Sequence, residues 1–184
     1  MARLKVVDVY PWSGFVDRPW SEVPADDAFA KSSRRVSELV NSALEAVVIH
    51  SAYSSVRLLT GTGFQRPDGD DETVLISVLA DLGDGFDVAN VSVPDQFLEL
   101  DAGDRALVAL DVLTATLTEF ARHRSWDPVA VESLTDHALA HHLQYVWTGS
   151  WKSSPDRRRR ARFVGVIEDD GVGRLTLRGV SLLG

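Results

Sequence analysis

Apolar residues recur at helical spacing in three stretches of this chain and at strand spacing in six, and the order of those stretches limits the fold. Residues 3–10 alternate well enough for a first strand. Val36, Leu39, Val40, Ala43, Leu44 and Val47 follow the i, i+3, i+4, i+7 rule and predict a helix over Ser33–Ala46. Three strands are expected next, at Val56–Thr62, Thr73–Ala80 and Phe86–Val93. The second of them is almost continuously apolar and reads as a central strand covered on both faces.

Two helices should follow. Asp101, with Asp104 three residues on, gives an N-cap and a first-turn carboxylate, and Ala106, Leu110, Leu113, Leu117 and Phe120 line one stripe up to Arg122–Arg124. Asp127-Pro128 is a second helix start, and that helix should extend to about Trp147. Last, Arg162–Ile167 and Arg174–Ser181 flank Asp169-Asp170-Gly171 and read as a β-hairpin. Clustered strands and paired helices predict a single α+β domain over 1–184, with helices packed on one face of a mainly antiparallel sheet.

Between the first strand and first helix, Pro11, Pro19 and Pro24 fall beside Trp12, Phe15 and Trp20. Proline fixes φ and removes donors, so this is a loop whose rings should pin it to the core. Exposed Trp12 and Trp20 would instead suit a structural subunit of a larger assembly. No apolar stretch approaches the ~20 residues of a membrane span, and the first twelve residues lack a signal-peptide run. A cytoplasmic protein without a membrane partner is therefore expected. With no cysteine in the chain, a disulfide scaffold, a thiolate metal site and a cysteine nucleophile are all excluded.

Charge is strongly segregated. Asp68–Glu119 holds thirteen acidic residues and one basic residue, Arg105, so it carries −12 while the whole chain carries −8. A clustered field steers oppositely charged partners, which points to a basic protein partner met by Asp81, Asp84, Asp87, Asp101 and Asp104. Small acidic inhibitors place carboxylates where an enzyme expects phosphates, so an immunity- or antitoxin-like module fits that charge.

Other constellations compete with this reading. His137 and His141 stand one helical turn apart, but zinc needs a third ligand, and His-Ala-Leu-Ala-His has no glutamate beside the first histidine; no metal or cofactor is expected. Of the acidic turns at Asp68–Glu72, Asp81–Asp87 and Glu168–Asp170, the first fails the calcium-loop spacing, with Thr73 at position six and Leu79 at position twelve, and all three read as solvated. Trp147, Trp151, Lys152, Arg157, Arg158, Arg159 and Arg160 could hold phosphate, with the rings stacking bases or a sugar. With His137 and His141 they make the alternative: an enzyme or a nucleotide-binding protein. The molecule's negative field opposes a nucleic acid. There is no Gly-x-Ser-x-Gly elbow, no phosphate loop and no complete dinucleotide fingerprint.

Overall fold

The computed structural model describes residues 2–11, 24–61, 74–78 and 85–181. In chain order the elements are β1 (Ala2–Arg3), β2 (Val6–Tyr10), α1 (Ala25–Ala43), β3 (His50–Ser51), β4 (Ser55–Thr60), β5 (Leu75–Val78) and β6 (Asp87–Ser92). A 3-10 turn (Asp95–Glu99), α2 (Ala102–Arg124), α3 (Pro128–Ala140), β7 (Val146–Thr148), β8 (Lys152–Ser153), β9 (Arg159–Ile167) and β10 (Gly173–Ser181) follow. The fold is α+β. Among the described residues five of seven strand pairings are antiparallel, and the two parallel ones, β2 with β4 and β4 with β6, lie together in one sheet.

That sheet has the order β2-β4-β6-β5. Its inward face carries Val7, Val9, Val56, Leu58, Ala89 and Val91, all buried, and α1 and α2 pack against it. The helix α3 packs on both of them and completes the layer. Phe29 of α1 meets Phe97 edge-on, with centroids 5.6 Å apart, which ties the 3-10 turn to the core. The outer edge of β2 is closed by a side chain: Asn41 accepts from Val7 N–H at 2.7 Å and donates to Val7 C=O at 3.3 Å. The amide thus stands in for a neighbouring strand.

Several boundaries depart from expectation. The helix α1 begins at Ala25, not Ser33, because Pro24 enters it at φ −57° and Asp26 and Asp27 occupy its first turn. Its serines tolerate the helix interior by bonding backward, as Ser33 does to the Phe29 carbonyl at 2.5 Å and Ser37 to that of Arg34 at 3.0 Å. The apolar run expected as a central strand forms β5, at the end of the described strand order, and β6 takes the inner position. The helix α3 stops at Ala140, short of Trp147, and left-handed His142 (φ 52°) and Leu143 (φ 54°) turn the chain into β7. The helix caps match the reading: Asp101 accepts from Asp104 N–H and Asp127 from Val129 N–H. Trp12, Phe15 and Trp20 lie outside the described residues. No described helix is long and apolar enough to cross a membrane.

Candidate binding surface

Of the acidic positions, Asp87, Asp101 and Asp104 lie among the described residues, and Asp87 is not at the surface. Asp87 starts β6 on the inward side of the sheet, 2% exposed. The Arg124 guanidinium, from the last turn of α2, donates to it at 2.6 and 3.1 Å, and Ser51 lies at 3.4 Å. Its charge is thereby held inside the protein. Asp101 and Asp104 are exposed at the start of α2, while Asp81 and Asp84 lie outside the described residues.

The turn at Glu168–Asp170 is not simply solvated. Arg105, the one cation of the acidic segment, donates to the Asp169 carboxylate, and Arg35 of α1 lies 3.6 Å from it. Ser32 donates to the Asp169 carbonyl at 3.1 Å and Arg34 to that of Gly171 at 2.9 Å. Gly171 has φ 74°, and a Cβ there would stand 2.7 Å from the Lys31 carbonyl. The hairpin tip is thus clamped to α1 and α2.

From that anchor β10, β9, β7 and β8 form an antiparallel sheet whose two faces differ. Trp147 pairs with Gly165, Gly165 with Leu175 and Phe163 with Leu177, so the four large side chains share one face. They are 48%, 53%, 67% and 62% exposed for Trp147, Phe163, Leu175 and Leu177. Gly165 makes room between them: a Cβ there would fall 2.9 Å from Leu175 Cδ2 and 3.5 Å from Trp147 Cε3. The opposite face carries Arg160, Arg162, Arg174 and Arg178. Arg162 lies 4.7 Å over the Trp151 ring.

This sheet separates the residues that would have made a phosphate site. Trp147 and Lys152 belong to the apolar face, Trp151 and Arg160 to the basic one. Arg157 and Arg158 occupy an exposed turn, in which Asp156 accepts from Ser154 and from Arg158 N–H. Arg159 opens β9 beside the apolar face.

His137 and His141 come together with Trp147 instead, in an open groove of ≈ 740 Å³ between α1, α3 and β7. The imidazole centroids are 4.3 Å apart. His137 Nε2 is 3.1 Å from Ser42 Oγ, which also reaches the Leu39 carbonyl at 2.7 Å. His141 Nδ1 donates to the His137 carbonyl at 2.8 Å. Burial and the neighbouring His141 hold His137 below its ordinary range. Burial, with Glu38 and Glu45, raises the Tyr145 phenol. Among the described residues no group of three acidic or histidine side chains is placed to hold a metal ion.

Comparison with known proteins finds no matching family model, no matching curated protein and no matching solved structure. Phe163, Leu175 and Leu177 were not singled out from the sequence. Their alternation with small and polar residues was visible, but alternation equally describes a strand with one buried face.

Proposed function

We propose that this protein is a protein-binding module whose contact surface is the apolar face of the C-terminal sheet. One observation carries the reading: Trp147, Phe163, Leu175 and Leu177 stand on one face, each about half exposed or more, held over Gly165. The largest contiguous apolar patch on a soluble protein is often an interaction site, and tryptophan in such a patch is a common binding anchor. Lys152 and Arg159 stand on the same side of the sheet, so a partner with an apolar centre and an acidic rim fits it. An immunity- or antitoxin-like inhibitor of a basic partner draws support only from exposed Asp101 and Asp104, since Asp87 is committed to Arg124.

A photo-crosslinking residue at Phe163, compared with one at exposed Val129 of α3, tests the surface. The expected result is a heterologous protein adduct specific to position 163. The purified pair should then lose affinity by ~10-fold or more in Trp147→Ala. No adduct, or the same adduct from Val129, overturns the reading.

A further inference from the structure

Among the described residues β10 pairs with β9 alone, and all nine of its residues are exposed. The edge of β2 is plugged by Asn41, whereas among the described residues no side chain bonds to the backbone of Gly173, Leu175, Leu177 or Gly179. Two bonds define which groups the outer edge of β10 presents. Glu168 N–H donates to Val172 C=O, and Gly149 N–H donates to Phe163 C=O. By the alternation of an antiparallel ladder, the even-numbered residues of β10 bond to β9. The backbone groups of Gly173, Leu175, Leu177 and Gly179 then point outward.

The sequence of that edge reads the same in both directions. Residues 173–179 are Gly-Arg-Leu-Thr-Leu-Arg-Gly, with Thr176 at the centre. We propose that two copies join antiparallel along β10 about a two-fold axis at Thr176, extending the two sheets into one. In that register Leu175 faces Leu177 of the second copy, outward-bonding residue against outward-bonding residue, on the apolar face. Val172, 50% exposed, faces Val180, 46% exposed. A shift that centres the axis on Leu177 would set Leu175 against Gly179 and keep one leucine pair, Leu177 with its own copy, in place of two.

Charge also fits. The register brings Arg174 beside Arg178 of the other copy, which would repel if both were bare. Arg174, however, contacts two carboxylates, Glu168 at 2.9 Å and Asp170 at 2.8 Å. The second carboxylate supplies the negative charge that the incoming Arg178 needs, and the four-group cluster sums to zero. Because the contact is isologous it closes as a dimer, so the exposed edge does not grow into a fibre. The inference stands on the edge of β10, independently of which partner covers the apolar face.

Cross-linking reads the register directly, since the chain contains no cysteine. Thr176 would face its own copy in a non-hydrogen-bonded pair, with Cα atoms ~4.5 Å apart, inside the disulfide range. Val180 would lie ~27 Å from its copy, eight residues of strand away. The expected result is a wild type that sediments as a dimer, a Thr176→Cys variant that oxidises to a covalent dimer, and a Val180→Cys variant that does not. Leu175→Lys with Leu177→Lys should raise the dimer dissociation constant by ~100-fold, with circular dichroism and melting retained, and mixing it with the corresponding glutamate variant should restore pairing. A wild type that stays monomeric at ~100 μM, equal cross-linking at positions 176 and 180, or a lysine variant that remains dimeric each overturns the proposal. Loss of the Phe163 adduct with these results intact would count against the partner surface alone.

Discussion

Asp87 and Arg124 show how a charge that looks available in sequence becomes structural. The carboxylate is almost fully removed from water and the guanidinium about three-quarters so, with 1% and 27% of their side chains exposed. Removing one partner leaves the other desolvated and unpaired, which costs more than the pair itself contributes. Asp87→Ala is expected to lower stability by ~3 kcal/mol, and adding Arg124→Met should recover part of that loss; chemical denaturation of the single and double variants measures it. His137 gives a second expectation at this scale. Its pKa lies below 6.5 in the folded protein, so the unfolded chain takes up the proton first as pH falls. Its contribution is fully present above 6.5 and is lost on acidification toward the lower folded value. Between about pH 7.5 and about pH 5.5 the wild-type melting temperature should drop further than that of His137→Gln. Equal drops in the two would rule out His137 as the titrating group.

At the scale of elements, the tip of the β9–β10 hairpin ties the C-terminal sheet to the helices. Asp169 gathers Arg35 and Arg105, and Gly171 lies against the backbone of α1 at a left-handed φ that side chains rarely adopt. Gly171→Ala combines strain with a clash against the Lys31 carbonyl and should cost ~2 kcal/mol. Hydrogen exchange should then speed up most in β9 and β10 while the central sheet stays protected. Uniform loss of protection would mean that the hairpin and helices unfold as one unit. The helix starts were readable because their signals are local: Asp101 and Asp127 cap where their side chains reach an amide two or three residues on. The end of α3 was not readable, since apolar residues continue beyond Ala140. The chain turns there through His142 and Leu143 at positive φ, with no glycine to mark the turn.

Over the whole molecule, charge and apolar surface are unevenly divided. Residues 146–181 carry +4, and the rest of the chain therefore carries −12. The arginines at 157–160 are exposed, so replacing all four by glutamine should cost no more than ~0.5 kcal/mol each. The wild type should show no micromolar binding to RNA or DNA at physiological salt, because its basic groups are divided between two faces and a turn while the larger field is negative. Fluorescence anisotropy with a labelled oligonucleotide decides this. Tight binding abolished in the glutamine variant would favour the phosphate-binding alternative.

What the sequence determined by itself was the class and the longer elements: three helices, clustered strands, a C-terminal hairpin and an α+β chain, but not the short strands β3, β7 and β8. Spacing and caps act over a few residues, so they can be read along the chain. The tertiary structure decided which of those residues meet. It put the apolar run 75–78 at the end of the described sheet order, buried Asp87 against a cation 37 positions away, and spent Arg105 on a turn 64 positions away. It also left Trp147, Phe163, Leu175 and Leu177 together on an open face. Burial and charge pairing depend on what folds against a residue from far along the chain, and local periodicity carries no record of that.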